Sequence, residues 1–182
     1  MSFRYEIRLS GEGGQGLVLA GKVLAEAAAI YDDKNATQSQ SYGPEARGGA
    51  SRSEVIISDG DIDYPKAVNI DLLLALTQES VNRYHEDLKD NGMLLVDEEA
   101  VTDLPEGGFT TYKLPIIRIA REKVGKVLVA NIVALGIITE LAKVVSEEAV
   151  EAAILARVPK GTEELNLLAF KTGIEAAKEL QA

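Results

Sequence analysis

Hydrophobic and polar residues alternate near the start of the chain, and the period then lengthens from two to between three and four. Residues 3–9 alternate and predict a strand. From Leu17 to Ile30, apolar residues recur every three or four positions and predict a helix. The glycine-rich stretch SGEGGQG (10–16) joins the two. A strand, a glycine loop and a helix in this order form the first half of a βαβ unit.

Apolar runs and helical patterns continue along the rest of the chain. Further strands are predicted at 53–58, 71–76 and 93–96, with an edge strand at 112–114 and a turn at Asn91-Gly92. Helices are predicted at 78–88, 115–125 and 127–145, and after the N-cap residues Ser146 and Thr162. Strands that alternate with helices imply a parallel sheet covered on both faces. We therefore predict an α/β fold, a Rossmann-like open sandwich with a mostly parallel sheet and a helical C-terminal segment, in a single domain over residues 1–182.

Residues 36–52 (ATQSQSYGPEARGGASR) interrupt this pattern. They are polar or small and lack apolar periodicity, so the sequence predicts an irregular segment here. Such a segment buries little apolar area to offset its loss of conformational entropy, which favours ordering against a ligand or another chain. Tyr42 supplies an aromatic face, and Arg47 and Arg52 can bind a carboxylate or phosphate with two parallel hydrogen bonds. A surface loop without function is the alternative.

The composition narrows the classes of function. The formal net charge is −10 at pH 7, which disfavours nucleic acid and anionic membranes as partners. There is no cysteine, so the chain cannot hold an iron–sulfur cluster through thiolates, and this suits a reducing, cytoplasmic location. The most apolar window, 127–138, is too short to span a bilayer, and no signal peptide is expected. The single histidine, His85, is followed by two acidic residues, so we expect neither a metal site nor a catalytic residue in this chain.

The glycine stretch has the spacing G-x-G-x-x-G at Gly11, Gly13 and Gly16. Glycines let the backbone approach a ligand, and the N-terminus of the next helix attracts anions such as phosphate. A nicotinamide dehydrogenase also needs an acidic residue at the end of its second strand, about 20 residues on. Asp32 and Asp33 lie at that distance but follow a helix, so we expect them to be solvated charges at the helix end. A tight turn that binds no ligand is the alternative to an anion site.

Two motifs together resemble one known family. GEGGQG (11–16) followed by QSYGPEARGGASRSEVIISD (40–59) is similar to the gamma subunit of 2-oxoacid:ferredoxin oxidoreductases, which act on 2-oxoglutarate or pyruvate, and the 2-oxoglutarate type is favoured. The stretch NIVALG (131–136) and the residues Asn166 and Phe170 also match the family's pattern. The resemblance covers nearly the whole chain.

That resemblance implies a subunit of a complex that oxidatively decarboxylates a 2-oxoacid to an acyl-CoA. Thiamine diphosphate, magnesium and iron–sulfur clusters are then expected in partner subunits of alpha, beta and delta type, and ferredoxin receives the electrons. The resemblance assigns coenzyme A engagement and cover of the active centre to the gamma subunit, and it implies that the isolated chain is inactive. Two alternatives stay open: a purely structural assembly subunit, and an independent Rossmann-type enzyme that binds a nucleotide or flavin.

Two groups of site residues follow as hypotheses. The cofactor-binding group approaches coenzyme A with backbone amides and consists of Gly11, Gly13, Gly14, Gln15 and Gly16. The second group faces the thiamine-bearing partner or the active centre and consists of Ser41, Tyr42, Gly43, Pro44, Glu45, Arg47, Gly48 and Gly49. Asn131, in an otherwise apolar helix, needs a buried hydrogen-bond partner and is expected to fix helix packing. Asn166 and Phe170, four residues apart, are expected to be structural or interfacial.

Overall fold

A computed structural model describes residues 3–42 and 50–182, and of Tyr42 it describes the backbone alone. The strands in this part of the chain are β1 (Arg4–Glu12), β2 (Asn35–Tyr42), β3 (Ala50–Ser58), β4 (Ile70–Ala75), β5 (Leu88–Asp97) and β6 (Thr110–Leu114). The α-helices are α1 (Leu17–Glu26), α2 (Gln78–Tyr84), α3 (Ile116–Ile119), α4 (Ala130–Ala142), α5 (Glu147–Arg157) and α6 (Glu163–Gln181). Short π-helical turns extend α1 and α3, at Ala27–Tyr31 and Ala120–Val124, and 3-10 turns lie at His85–Asp87 and Val127–Val129.

The strands form a mixed sheet in the order β2-β3-β1-β4-β5-β6. Strands β1, β4, β5 and β6 are parallel to one another, with Leu9 opposite Leu74 and Leu74 opposite Leu95. Strand β3 runs antiparallel to both β1 and β2. The predicted α/β fold with a mostly parallel sheet is confirmed, and an antiparallel hairpin is added at one edge.

The sheet lies between two apolar layers. The larger layer contains Ile7 and Leu9 of β1 together with side chains of α1, α4, α5 and α6. On the opposite face, Ile56 of β3 and Leu73 of β4 are buried in a smaller layer with Val81 of α2. Helices α1 and α2 therefore lie on opposite faces of the sheet. Within the two described ranges, no helix has the length and apolar character needed to cross a membrane.

Helices α4 and α6 pack in close contact because each has a glycine where they meet. A Cβ added at Gly136 would lie 2.1 Å from the carbonyl oxygen of Phe170, and one added at Gly173 would lie 2.1 Å from the carbonyl oxygen of Val133. The Phe170 side chain is fully buried. Asn166, one turn earlier on α6, donates to a backbone carbonyl at 2.9 Å. Phe170 therefore packs α6 into the core of this chain, whereas the hydrogen bond of Asn166 lies within the first turn of α6.

The prediction that residues 36–52 are irregular is wrong at both ends. Residues 36–42 belong to β2 and residues 50–52 to β3, and Thr37 pairs with Ile56. Strand β2 is the outer strand of the sheet, so its side chains need not be apolar. The backbone of β2 pairs on one side with β3, which has side chains buried in the core. Hydrophobic periodicity cannot detect a strand whose side chains are nearly all polar.

Three local expectations also differ from the structure. The turn predicted at Asn91-Gly92 lies inside β5, where Asn91 has φ 66° and the register with β4 is irregular. Asp32 is not a solvated charge, because its carboxylate accepts hydrogen bonds from the backbone N and the hydroxyl of Ser146 at 2.6 and 2.7 Å. Ser146 caps α5 as predicted. Thr162 stands at the start of α6, but its hydroxyl donates to the carbonyl of Pro159 instead of capping the helix.

Candidate functional site

The carboxyl ends of β1 and β4 open into the cavity that forms the candidate site. These strands are adjacent and parallel, and the helices that follow them, α1 and α2, lie on opposite faces of the sheet. Diverging helices leave a crevice at the strand ends, which is the usual ligand site of open α/β sheets. A cavity of about 580 Å³ occupies this crevice and is lined by Gly11, Glu12, Gln15, Ala50, Leu76, Thr77, Gln78, Glu79, Ala100 and Ile117.

Gln15 closes the glycine loop into a tight turn. Its side-chain oxygen accepts a hydrogen bond from the backbone N of Glu12 at 2.6 Å, and its own backbone N donates to the carbonyl of Glu12 at 3.3 Å. Gly13 and Gly14 are exposed at the tip of this turn, and Gly14 has φ 89°. The exposed backbone at the tip is therefore accessible to a ligand.

Gly11 does not belong to the loop, contrary to the prediction. It lies in β1 and pairs with Ser51 of β3, and Glu12 pairs with Ala50. Strand β3 begins earlier than its apolar residues indicate, and this lengthens the paired part of β1. The predicted cofactor-binding group therefore divides: Gly11 lines the cavity from the strand, whereas the turn consists of Gly13, Gly14, Gln15 and Gly16.

The start of α1 has the properties of an anion site. Gly16 occupies the N-cap position with φ 76°, and no side chain in the described part of the chain caps this helix. The first turn contains no acidic residue. The first amides of a helix have no partners within the helix, and they carry the positive end of its dipole. A phosphate group fits such a helix start.

Asn131 of α4 fixes the conformation of Gly16. It is buried, its Nδ2 donates to the carbonyl of Gly16 at 3.0 Å, and its Oδ1 accepts from the backbone N of Ile132 at 2.9 Å. A Cβ added at Gly16 would lie 2.4 Å from Nδ2 of Asn131. The positive φ and this contact both require glycine. The buried partner expected for Asn131 is therefore the glycine loop itself, which joins α4 to the candidate site.

A row of hydroxyl groups holds the start of α2 against the end of β1. Thr77 caps α2 through its Oγ1, which accepts from the backbone N of Ser80 at 3.2 Å. The hydroxyl of Ser80 lies 2.8 Å from that of Thr77 and accepts from the hydroxyl of Ser10 at 2.8 Å. Because Ser10 and Ser80 are buried, these bonds fix the position of Thr77 on the cavity wall.

Asp97, at the end of β5, is a positioning residue that sequence reasoning missed. Its side chain is buried, with 1% of the residue exposed, and its Oδ1 accepts from the backbone N of Glu99 and of Ala100, both at 3.0 Å. Its Oδ2 accepts from the backbone N of Ile117 at 2.9 Å. Ala100 and Ile117 line the cavity, so one carboxylate shapes that wall. The available signal was an acidic residue directly after a buried apolar run.

Two carboxylates, those of Glu12 and Glu79, belong to residues that line the cavity. Both residues are exposed, and Glu79 lies 3.9 Å from Arg83. Their negative charge disfavours a phosphate group between them and favours an uncharged polar group there. The start of α1 is the better place for an anionic group, since its first turn has no acidic residue.

The second predicted group lies mostly outside the described residues. Gly43, Pro44, Glu45, Arg47, Gly48 and Gly49 fall there. Ser41 pairs with Arg52, and Tyr42 pairs with Ser51, at the end of the β2–β3 hairpin. Ala50 of this hairpin lines the cavity, so the described end of the hairpin borders the candidate site.

His85 does not line the cavity. It is half-buried beside α2, and its ring Nδ1 lies 2.8 Å from the carbonyl oxygen of Val81, one turn earlier. Among residues 3–42 and 50–182, no three His, Cys, Asp or Glu side chains are grouped so that they could hold a metal ion.

Comparison with known proteins identifies the family. Residues 6–176 match the pyruvate ferredoxin/flavodoxin oxidoreductase family. The chain belongs to this family. The resemblance to the gamma subunit of 2-oxoacid:ferredoxin oxidoreductases is confirmed.

Three similar proteins illustrate the family. The 2-oxoglutarate synthase subunit KorC of Methanocaldococcus jannaschii is 57% identical over 99% of this chain and 97% of its own length. A solved keto/oxoacid ferredoxin oxidoreductase gamma subunit from Geobacter sulfurreducens is 58% identical, with a TM-score of 0.87 over 98% of this chain and 99% of that chain. The 2-oxoglutarate:ferredoxin oxidoreductase of Magnetococcus marinus, solved with 2-oxoglutarate, coenzyme A and succinyl-CoA bound, has a TM-score of 0.85. It is 23% identical and covers 97% of this chain and 31% of that chain, so the likeness shows the fold alone.

Proposed function

We propose that this family member is the gamma-type subunit of a 2-oxoacid:ferredoxin oxidoreductase complex, with 2-oxoglutarate as the favoured substrate. The M. jannaschii relative, at 57% identity, is a 2-oxoglutarate synthase subunit. The match extends over 97% of that relative's length, which supports the same division of labour among subunits. The reaction of the complex is the oxidative decarboxylation of the 2-oxoacid to an acyl-CoA.

The observation that carries the role of this chain is the cavity lined by Gln15, a residue of the glycine turn that leads into the uncapped start of α1. We place coenzyme A there, with a phosphate at the first amides of α1 and an uncharged part of the coenzyme beside Glu12 and Glu79. The M. marinus enzyme, which shares the fold, has coenzyme A bound. The coenzyme supplies the thiol that receives the acyl group. In this proposal Gly13, Gly14 and Gln15 bind and orient the coenzyme and exclude water from the active centre.

The remaining cofactors are assigned to the partner chains. This chain has no cysteine to ligate an iron–sulfur cluster, so we place the clusters, together with thiamine diphosphate and magnesium, in partner subunits of alpha, beta and delta type. Ferredoxin receives the electrons through the complex. In the sequence, residues 43–49 lie between the paired ends of β2 and β3, which border the cavity, and we propose that the segment 41–49 faces the thiamine-bearing partner.

The substitution Gly13→Val in the assembled complex tests the placement of coenzyme A. Gly13 is exposed and is not among the glycines with positive φ, so its backbone conformation does not require glycine, and the branched side chain of valine is expected to obstruct the ligand. We expect the apparent KM for coenzyme A to rise about tenfold or more, which corresponds to roughly 1.4 kcal/mol of lost binding. The matched control is Gly60→Val, in a bend at the opposite end of the sheet, which is expected to leave this KM unchanged.

The other outcomes distinguish the alternatives. An assembled Gly13→Val complex with the original KM for coenzyme A contradicts the proposed site. Failed assembly together with unchanged coenzyme affinity identifies a purely structural subunit. Binding of NAD or a flavin by the isolated chain identifies an independent nucleotide-binding enzyme.

A further inference from the structure

A second cleft lies on the sheet face that carries α2, beside the glycine-loop cavity. It has a volume of about 410 Å³. Its floor consists of Arg8, Arg52 and Glu54, from β1 and β3, and its rim includes Ser39 and Ser41 of β2 and Lys66. The coenzyme site proposed above does not use this cleft, although Ser41 on its rim belongs to the segment proposed to face the thiamine-bearing partner.

One wall of the cleft, residues 64–69, is held in place by charged side chains. Arg4, Glu6, Arg8 and Glu54 bind its backbone N–H and C=O groups at 2.8 to 3.4 Å. Glu6, Arg8 and Glu54 are each less than 9% exposed. Buried charges lose hydration, and these charges recover part of that cost through hydrogen bonds to the wall. An irregular segment is thereby fixed in one conformation, and the cleft is formed before any ligand arrives.

The floor of the cleft has too few hydrogen-bond acceptors for its donors. Oε1 of Glu54 serves two guanidinium groups, at 3.4 Å from Nη2 of Arg8 and 3.2 Å from Nε of Arg52. Asp87 pairs with Arg8 at 2.5 Å. Nε of Arg8 is buried and has no hydrogen-bond partner among the described residues. The positive charge of the cleft floor is therefore only partly compensated by acceptors of the chain itself.

The two guanidinium groups are held by an aromatic ring. The ring centre of Tyr84 lies 4.9 Å from Cζ of Arg8 and 5.5 Å from Cζ of Arg52. The Arg52 side chain is 34% exposed, and within the described residues its ionic partner is Glu54, through Nε. The planar guanidinium can therefore present its Nη groups to a ligand in a fixed orientation.

The charge in and around the cleft is positive although the chain as a whole is negative. Arg8, Arg52 and Lys66 oppose Glu54 and Asp87, which leaves a local net charge of +1 (three positive less two negative). The whole chain has a formal net charge of −10. The local positive charge therefore attracts a small anion despite the negative charge of the whole chain.

We propose that this cleft binds the oxyanion of a small ligand, a carboxylate or a phosphate, through the guanidinium of Arg52, with Lys66 as the second positive contact and the hydroxyls of Ser39 and Ser41 as polar contacts. The site is distinct from the glycine-loop cavity. Arg52 pairs with Ser10 and with Ser41, and it is Ala50, two residues earlier, that lines the cavity. The inference therefore does not depend on the proposed coenzyme site.

Titration of the isotope-labelled full chain with phosphate, and separately with succinate, tests the proposal at constant ionic strength. We expect saturable amide shifts at Ser39, Ser41, Arg52 and Lys66 with at least one of the two anions. Arg52→Gln is expected to weaken this binding tenfold or more, while Glu54 keeps Arg8 as its partner. Lys66→Gln is expected to weaken it less. Lys160→Gln, at an exposed lysine before α6, is the matched control and is expected to change nothing.

The pattern of shifts decides the outcome. Saturation by phosphate alone identifies a phosphate-bearing ligand, and saturation by succinate alone identifies a carboxylate-bearing one; either result supports the site. The proposal is overturned if neither anion gives saturable shifts in the cleft. It is also overturned if Arg52→Gln has the unfolding midpoint of the original chain and binds the anion with the same affinity. Shifts confined to Gly13–Gly16 overturn it while supporting the glycine-loop site. A partner carboxylate seated on Arg52 in the assembled complex also overturns it, because the cleft is then a docking surface.

Discussion

Asn131 connects two parts of the chain that are 115 residues apart, α4 and the glycine loop. Asn131→Ala removes a buried hydrogen bond to Gly16 and is expected to lower the free energy of unfolding by about 1–3 kcal/mol. It also releases Gly16 from the position that aims the first amides of α1. We therefore expect a higher KM for coenzyme A in the assembled complex.

Asn166→Ala is the matched control for this prediction. Asn166 is also buried, and its hydrogen bond runs to the carbonyl of Thr162, at the start of its own helix. Urea unfolding is expected to show a comparable loss of stability for both variants. Steady-state kinetics of the assembled complex is expected to show a raised KM for coenzyme A in Asn131→Ala and not in Asn166→Ala. An equal KM for coenzyme A in the two variants would mean that Asn131 has a packing role without influence on the site.

Tyr5 provides a prediction for alkaline pH. Burial raises the pKa of Tyr5 above its ordinary value of 10.0, with further contributions from the charge of Asp71 and from Tyr112. The folded state favours the neutral phenol of Tyr5. The contribution of this phenol to stability is therefore fully present below pH 10 and is lost as the pH rises from there toward the pKa of the folded state. Tyr5→Phe is expected to reduce this alkaline loss. Urea midpoints measured from about pH 9 to 11.5 check it, with the exposed Tyr31→Phe as control; an unchanged slope in Tyr5→Phe would refute the assignment.

At the scale of elements, the sequence located the strands, helices and caps whose own side chains show hydrophobic periodicity or a capping residue. The first strand and helix, the apolar strand β4 and the cap at Ser146 are where the sequence predicted them. Strands β1 and β5 are longer than predicted, so β1 includes Gly11 and β5 includes the expected turn at Asn91-Gly92. Strand β2 was missed because it is an outer strand with polar side chains, and its position is determined by β3. The hydrophobic pattern within β2 itself does not indicate that β2 pairs with β3.

The candidate site shows the same division. The exposed turn at Gly13 and Gly14 was located from spacing alone, because glycine spacing is a local property. The hydrogen bonds of Asn131 to Gly16 and of Asp97 to Ile117 join residues far apart in sequence, so tertiary structure was needed to find them.

The contact of α4 with α6 gives a prediction for whole elements. Gly173→Ala places a methyl group 2.1 Å from the carbonyl oxygen of Val133, and neither helix backbone can yield locally. We expect a loss of about 1–3 kcal/mol or more in the free energy of unfolding, because the helices must separate. Glu175→Ala, on the exposed face of α6, is the control and should change stability by less than about 0.5 kcal/mol in the same urea titration. A neutral Gly173→Ala would contradict the close packing.

At the scale of the whole molecule, the charged residues of β1 show that alternation in the sequence does not indicate whether a polar face is exposed or covered. The alternation of β1 predicts a strand with one polar face, and that face contains Glu6, Arg8 and Ser10. In the structure these three residues are 1% to 4% exposed, covered by α2 and by residues 64–69. A period of two identifies which residues share a face, whereas the elements that cover the face are set by the rest of the chain.

Amide hydrogen exchange in the assembled complex, with and without saturating coenzyme A, tests the proposed site most directly. We predict slower exchange across residues 12–19, which contain the glycine turn and the first amides of α1, when coenzyme A is present. Residues 59–63, at the opposite end of the sheet, are the internal reference and are expected to exchange at the same rate in both states. Unchanged exchange across residues 12–19 in a complex shown to have bound coenzyme A would contradict the placement of the coenzyme at this cavity.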